Sequence, residues 1–153
     1  TLEGNALIKA RHIWERYGLY CFADDTGLEV EALDGAPGVY SARFAGEHAT
    51  FEENVALLLE RLKGVPAPRR ACFRTVIALI DEYGTHFFEG AVNGEITLER
   101  SGDHGFGYDP VFRPEGCQQT FAELSSEEKN AMSHRGRAVQ RLARYLHALP
   151  LDE

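Results

Sequence analysis

The sequence predicts an α/β protein in which helices and strands alternate along the chain and the strands build a mixed β-sheet. Apolar residues recur at helical spacing in three segments, and short apolar or β-branched runs stand between those segments. The chain has 153 residues, of which 44% are hydrophobic and 26% are charged. This length and composition are typical of one folded domain, which we expect to cover residues 1–153.

The first two predicted helices lie in the amino-terminal half. Residues 3–17 carry an apolar stripe at three- and four-residue steps, made by Ala6, Ala10, Ile13 and Tyr17. Lys9 falls on another face of this helix, where an ordinary surface lysine is the simplest interpretation. The second helix begins at a capping box formed by Thr50 and Glu53, and its stripe consists of Val55, Leu58, Leu59 and Leu62.

A third helix is predicted near the carboxyl end. Ser133 is a suitable N-cap, and Pro150 is expected to end the helix. The expected buried stripe consists of Val139, Leu142, Leu146 and Leu149.

Four strands are predicted between these helices. The apolar run 19–23 indicates a buried strand that ends in a turn over residues 24–27. Residues 72–80 are apolar on both alternating faces, which predicts a strand in the centre of the sheet. Residues 86–92 and 94–98 follow, and the Asn93-Gly94 pair between them predicts a tight hairpin turn or a sharp bend in one long strand.

Composition excludes several classes of function. A net charge of −8 disfavours binding to extended nucleic acid. No apolar run approaches the roughly 18 residues of a membrane span, and the first residues do not resemble a secretory signal. Three widely spaced cysteines without a CxxC pair argue against a disulfide framework or a cysteine zinc site, and they favour a reducing, cytoplasmic location.

The first segment that suggests chemistry is the acidic pair Asp24 and Asp25, followed by Thr26 and Gly27. Hard cations such as Mg²⁺ prefer carboxylate oxygens. Because neighbouring strand residues point to opposite faces, the two acids are expected to have different roles, one binding metal or activating water and the other bracing the turn. The same pattern is also typical of a solvated turn with an Asx hydrogen bond.

The second segment, residues 102–110, interleaves three glycines with Phe106, Tyr108 and two acids. Glycine allows the backbone to approach a ligand, an aromatic ring offers a stacking face, and a carboxylate such as Asp109 accepts hydrogen bonds. A nucleoside pocket is one interpretation, and a glycine-rich turn with packed aromatics is the other. The spacing matches neither the dinucleotide-binding GxGxxG motif nor a Walker loop.

The third segment places Lys129, His134 and Arg135 around the start of the last helix. The positive end of a helix dipole attracts anions, and an arginine can donate two hydrogen bonds to phosphate or carbonyl oxygens. An ordinary capped helix start with solvated basic residues would have the same pattern.

Taken together and in this order, three motifs resemble the inosine triphosphate pyrophosphatase family. They are ADDTGLEVEALDGAPGVYSARFAG (23–46), GFGYDPVF (105–112) and SSEEKNAMSHRGRA (125–138). The similarity also covers the NALIKAR segment of the first helix and the strand around residues 73–80. The resemblance implies an elongated α/β fold with two lobes around a long mixed sheet, a nucleotide cleft between the lobes, and a homodimer.

The resemblance also implies an activity and a set of site residues. Non-standard purine nucleoside triphosphates, such as those of inosine and xanthosine, would be hydrolysed to the monophosphate and pyrophosphate with Mg²⁺ as cofactor. Asp25 resembles the general base and magnesium-associated acid, and Asp24 is a neighbouring metal candidate. The expected substrate contacts are Lys9, Thr26, Phe106, Gly107, Tyr108, Asp109, Lys129, His134 and Arg135.

Relatives in this family begin with a strand, a T-G-N-x-x-K-type phosphate loop and a further acidic residue, all of which would precede Thr1. For the chain as printed, we therefore expect weak or no turnover and a compromised sheet edge. This expectation motivates one alternative, a nucleotide-binding remnant without catalysis. A second alternative is a septum-associated type of nucleotide pyrophosphatase acting on pyrimidines or modified bases.

Overall fold

The computed structural model describes residues 1–18 and 21–148. Its α-helices are α1 (Leu2–Tyr17), α2 (Phe51–Arg61), α3 (Ser126–Met132) and α4 (His134–Ala148). Its strands are β1 (Cys21–Val30), β2 (Pro37–Gly38), β3 (Arg70–Asp81), β4 (Gly84–Ile96) and β5 (Phe112–Pro114). Short 3₁₀ turns occupy Glu31–Leu33, Ser41–Arg43 and Asp109–Val111. No helix within the described ranges is long and apolar enough to cross a bilayer.

The strands form one sheet in the order β2-β1-β3-β4-β5. The α/β class is confirmed, and β3 is central as predicted. The sheet is not mixed, however, because every strand pairing among the described residues is antiparallel. The connections explain this difference. A two-residue turn joins β3 to β4, and the segment between β1 and β3 leaves and re-enters the sheet at the same end, where Val30 pairs with Ala71.

The predicted turn at residues 24–27 is wrong, because β1 continues through it to Val30. Ten consecutive residues of β1 pair with β3, and Asp25 lies opposite Val76. Turn-forming residues are thus held in an extended conformation by a long partner strand, which local propensity does not reveal. Leu19 and Tyr20, where the predicted strand begins, lie outside the described residues.

Of the two alternatives predicted at Asn93-Gly94, the hairpin turn is wrong, because residues 84–96 form one long strand. Both residues are inside β4, where Asn93 pairs with Cys72 and Gly94 pairs with both Ala71 and Pro114. Strands on both sides of Gly94 therefore satisfy the backbone that a hairpin turn would have left unpaired.

Helices α1 and α4 cover opposite faces of one end of the sheet. Small residues of α1 pack on Ala78 and Ile80, whereas α4 packs on Ile77 and Leu79 through Ala138 and Leu142. A larger cluster, which includes Leu28, Val55, Phe73, Phe112 and Phe121, fills the other end. This division of the core agrees with the predicted two-lobed architecture.

The helix predictions are confirmed in part. The capping box of Thr50 and Glu53 is present, and Ser133 accepts a hydrogen bond from the Gly136 amide at the start of α4. The apolar stripes are less accurate, because Tyr17, Val139 and Leu146 are about half exposed or more. Val139 instead lines an open cavity beside α4. Leu149 and Pro150, also part of the prediction, lie outside the described residues.

Arg69 is a buried cation in the connection between α2 and β3, with only 3% of its surface exposed. Its guanidinium donates to the carbonyls of Leu62 at 3.0 Å and Ile96 at 3.2 Å, and also to that of Thr97. The planar fork of donors matches acceptors that lie in several directions. One side chain thus joins the end of α2 to the end of β4, and burial lowers the pKa of its guanidinium.

Replacing Arg69 with lysine should destabilise the protein. A single ammonium group cannot reach all three carbonyls, and a buried carbonyl without a partner costs about 1–3 kcal/mol. We expect Arg69→Lys to lower the free energy of unfolding by about 2 kcal/mol in urea titrations. The exposed neighbour Arg70 provides the control, because Arg70→Lys should change the free energy of unfolding little. Equal stability of both variants would contradict the structural role of Arg69.

Candidate nucleotide cleft

An open cavity of ≈ 710 Å³ lies on the face of the sheet that α4 covers. It brings together most of the residues predicted to contact substrate, namely Thr26, Phe106, Gly107, Tyr108, Asp109, Lys129, His134 and Arg135. A second cavity of ≈ 850 Å³ is larger, but none of the predicted site residues lines it. We therefore take the smaller, aromatic-lined cavity as the candidate site and call it the cleft.

The glycine-rich loop forms one wall of the cleft through a network of short hydrogen bonds. Tyr108 is buried, and its hydroxyl donates to the Ser41 carbonyl at 2.7 Å. Burial raises the pKa of the Tyr108 phenol. Gly105 has a positive φ of 77°, and a Cβ there would lie 2.2 Å from Asp109 Oδ2. Only glycine allows the loop to close on Asp109 in this way.

Asp109 and Lys129 form a buried ion pair on the cleft wall. Lys129 Nζ lies 2.5 Å from Asp109 Oδ2, which also accepts a hydrogen bond from the Phe106 amide at 3.1 Å. The same ammonium group lies 4.4 Å from the centroid of the Phe106 ring. Asp109 is only 3% exposed, and a buried charge is costly unless protein groups pair with it. The Lys129 ammonium and the Phe106 amide are the partners of this carboxylate. The loop and α3 are therefore joined at the cleft.

His134 presents a neutral imidazole to the cleft. Its ring stacks on Phe73 with centroids 5.0 Å apart and an interplanar angle of 14°. Burial lowers the pKa of His134 to about 4, and the positive charges of Arg135 and Lys129 lower it further. Its Nδ1 is buried and has no hydrogen-bond partner among the described residues. The His134 ring therefore lines the cleft with one polar nitrogen that is closed to solvent and unpaired in this part of the chain.

Gly90 of β4 allows the first turn of α4 to lie directly on the sheet. A Cβ at residue 90 would lie 2.0 Å from the His134 carbonyl oxygen and 2.4 Å from the Ala138 amide nitrogen. A larger residue would push away the helix start that carries His134 and Arg135. The absence of a side chain at Gly90 therefore determines where the cationic end of the cleft lies.

Asp24 and Asp25 lie on opposite faces of β1, as the strand alternation predicts. Asp24 faces α4 and pairs with Arg135, with Oδ2 to Nη2 at 3.1 Å. Asp25 faces α1, where Lys9 Nζ donates to Oδ1 and Asn5 Nδ2 donates to Oδ2, each at 3.2 Å. The structure therefore places Asp24 at the border of the cleft, and Asp25 and Lys9 across the strand from it.

Lys9 also reaches the backbone of the acidic pair. Its ammonium donates to the Asp24 carbonyl at 3.0 Å, so one side chain contacts both acidic residues. Among residues 1–18 and 21–148 there is no group of three or more His, Cys, Asp or Glu side chains that could hold a metal ion. Any ion near Asp24 or Asp25 would therefore need ligands besides these carboxylates.

Several residues around the site were absent from the sequence prediction. The Ser41 carbonyl accepts a hydrogen bond from the Tyr108 hydroxyl. The Phe73 ring stacks on His134, and Phe51 lines the cleft. Helix α3 was missed as well, although Ser125 and Glu128 form a capping box that the spacing could have revealed. Asn5 and Phe51 had no such signal, because their roles depend on which elements pack together.

Comparisons with known proteins identify the family of this chain. The family model described as Ham1 family matches residues 1–145. The chain belongs to the Ham1 family. A dITP/XTP pyrophosphatase of Porphyromonas gingivalis is 62% identical over 146 residues, which cover 95% of this Ham1 chain and 75% of the relative. A second dITP/XTP pyrophosphatase, from Flavobacterium johnsoniae, is 51% identical over 148 residues, covering 97% of the chain and 77% of the relative.

Solved Ham1 structures share the fold. A HAM1 protein from Coxiella burnetii superposes with a TM-score of 0.92 at 44% identity, covering 97% of this chain and 78% of that one. The Staphylococcus aureus Ham1 protein also gives a TM-score of 0.92, at 42% identity and with 96% and 77% coverage. The arrangement of helices and sheet is therefore a property of the family.

The depressed pKa of His134 should make stability depend on pH. In the unfolded chain a histidine has a pKa of about 6.5, and in the folded protein that of His134 is about 4. Between these values the unfolded state binds more protons, so stability should fall as pH falls from about 6.5 to about 4. Between pH 7 and pH 4.5, the Ham1 protein should lose about 2 kcal/mol more unfolding free energy than its His134→Gln variant.

The exposed residue His12 supplies the control for this measurement. His12→Gln should lose as much stability over the same pH interval as the unchanged protein, because His12 is exposed on α1. Urea titrations of the three proteins at both pH values make the comparison. A pH dependence that His134→Gln leaves unaltered would contradict the burial of a neutral imidazole.

Proposed function

We propose that this chain hydrolyses non-standard purine nucleoside triphosphates, such as those of inosine, deoxyinosine and xanthosine, to the monophosphate and pyrophosphate. The observation that carries the proposal is the cleft itself. Aromatic rings, the Asp109–Lys129 ion pair and the His134 imidazole line one cavity, Asp24 lies at its border, and Asp25 lies on the other face of the same strand. The names of the relatives support the same reaction, since two of them are called dITP/XTP pyrophosphatase.

The cleft residues suggest how a purine with a 6-keto group would be selected. Phe106 is 65% exposed and can stack on a base. Arg135 and the neutral His134 also line the cleft and can donate hydrogen bonds to a carbonyl oxygen such as O6. The amino group of adenine cannot accept those hydrogen bonds, so adenosine nucleotides would leave these donors unpaired.

Asp25 is the proposed general base. It would accept a proton from a water molecule whose oxygen attacks the α-phosphorus, while the bond from that phosphorus to the bridging oxygen breaks and pyrophosphate leaves. Asn5 and Lys9 hold both carboxylate oxygens of Asp25, which fixes the direction of the acceptor. Lys9 is also 54% exposed, so its ammonium can contact phosphate oxygens.

The proposed cofactor is Mg²⁺, and the donor set fits it in the way that Mg²⁺ commonly binds. This ion is usually held by one or two carboxylates together with waters and substrate phosphates. Asp25 would supply a carboxylate to the ion, whereas the side chain of Asp24, the other metal candidate, points to the opposite face of β1, so waters and substrate phosphates would complete the coordination. When bound, Mg²⁺ would neutralise charge on the polyphosphate. Homodimer formation and a cytoplasmic location, both expected from the sequence, belong to this proposal and remain predictions.

The general base can be tested by removing its charge while keeping its shape. We expect Asp25→Asn to lower kcat for inosine triphosphate by at least about 100-fold, because general-base catalysis contributes 10²–10⁴-fold. Affinity for inosine monophosphate, measured by calorimetry, should change little, since the cleft is intact. Asp34→Asn makes the same chemical change at an exposed residue and should keep full activity. Pyrophosphate release at the wild-type rate by Asp25→Asn would refute the assigned role.

A panel of substrates tests the proposed choice of base. Pyrophosphate release should be at least about tenfold faster, as kcat/KM, for inosine and xanthosine triphosphates than for adenosine triphosphate, because one unpaired donor is worth about a factor of ten. Thymidine triphosphate should also be poor. A preference for thymidine would favour the pyrimidine-directed alternative. Binding of inosine monophosphate without any release of pyrophosphate would favour the nucleotide-binding remnant.

A further inference from the structure

Two large aromatic rings stand exposed at the mouth of the cleft. Phe51 is 54% exposed and Phe106 is 65% exposed, although both line the cavity. Their ring centroids are 6.4 Å apart, with an interplanar angle of 42°. Two phenyl rings left open to water beside each other form an apolar surface that a planar ligand could cover.

Phe51 is not explained by the packing of its own helix. The residues through which α2 enters the core are Asn54, Val55 and Leu58. Phe51 is instead the first residue of the helix, where Thr50 caps the backbone and no apolar side chain is needed. The ring therefore extends into the cleft without a stabilising role that the helix requires.

The backbone of Phe51 is nevertheless held firmly. Thr50 and Glu53 exchange two capping hydrogen bonds of 3.1 Å. Arg100 Nη2 also donates to the Glu52 carbonyl at 2.6 Å, which joins the start of α2 to the segment that leads into the glycine-rich loop. A ring on a fixed backbone loses less conformational entropy when it contacts a ligand.

We propose that Phe51 is a second aromatic contact for the purine of the bound nucleotide, beside Phe106. This inference rests on the proposed function, because it takes the cleft as the base site. Stacking accepts any base, since every base has a π-face. Phe51 therefore sets affinity for purine nucleotides in general, whereas the hydrogen-bonding groups around His134 select among purines.

The test replaces the ring while keeping an apolar side chain. We expect Phe51→Leu to weaken the calorimetric binding of inosine monophosphate by roughly tenfold, in line with the loss of one aromatic stacking contact. KM for inosine triphosphate should rise by a similar factor while kcat stays unchanged. The ratio of kcat/KM between inosine and adenosine triphosphates should also stay unchanged. Phe51→Tyr keeps a stacking face and should bind as the wild type does.

Two controls separate base contact from general damage to the protein. Phe87→Leu removes a ring of similar exposure, 47%, on β4 outside the cleft, and should not change binding. Ribose 5-phosphate has no base, so its affinity should be the same for Phe51→Leu and the wild type. Thermal unfolding of each variant verifies that the fold is intact.

The outcomes distinguish this inference from the proposed reaction. Wild-type binding of inosine monophosphate by Phe51→Leu, or an equal loss of ribose 5-phosphate affinity, overturns the role of Phe51. Absence of pyrophosphate release by the wild type contradicts the proposed hydrolysis. Calorimetric binding does not depend on turnover, so it still decides the role of Phe51 in that case.

Discussion

The antiparallel pairing of β1 with β3 is the constraint on which the site depends. Ten residues of β1 are fixed opposite Ala71 to Ile80, so the direction of each β1 side chain is determined by alternation. Asp24 and Thr26 consequently face α4 and the cleft, while Asp25 faces α1. A shift of one residue in this register would exchange these faces and separate Asp25 from Lys9 and Asn5.

The second constraint is burial of polar groups beside the cleft. Asp109 and Lys129 neutralise each other in a region with little solvent, and burial, assisted by the charges of Arg135 and Lys129, lowers the pKa of His134 and keeps its ring neutral. Aromatic residues contribute to this apolar surrounding, because Phe73 lines the cleft and stacks on His134, and Phe121 stacks on Phe73. Hydrogen bonds to a ligand gain strength in such a setting, because water competes for them less. The residues that pack the core of this lobe therefore also set the polarity of the cleft.

Much of the fold and the site could be predicted because strong local signals mark them. The capping box at Thr50, the two-sided apolar run of β3 and the aromatic glycine loop all depend on residues close together in sequence. The errors occurred where tertiary pairing overrides local preference. Residues 24–27 and Asn93-Gly94 have turn propensity, but each is held in a long strand by its neighbours. The exposure of Val139 was missed because helical spacing does not reveal that this side chain borders an open cavity.

Local sequence patterns were enough to predict the longer helices, the central strand, the chemical types in the three motifs and, through them, the resemblance that the Ham1 comparison confirms, whereas α3 and the short strands β2 and β5 were not predicted. Three contacts became visible only in the folded protein. Asn5 and Lys9 donate hydrogen bonds to Asp25, Arg135 forms an ion pair with Asp24, and the ring of Phe51 lies beside that of Phe106. The physical reason is that these contacts join residues 16 to 111 positions apart or lie on faces that alternation alone cannot assign to a partner. Local physics specifies which side chains are present, whereas sheet register and helix placement specify which of them meet.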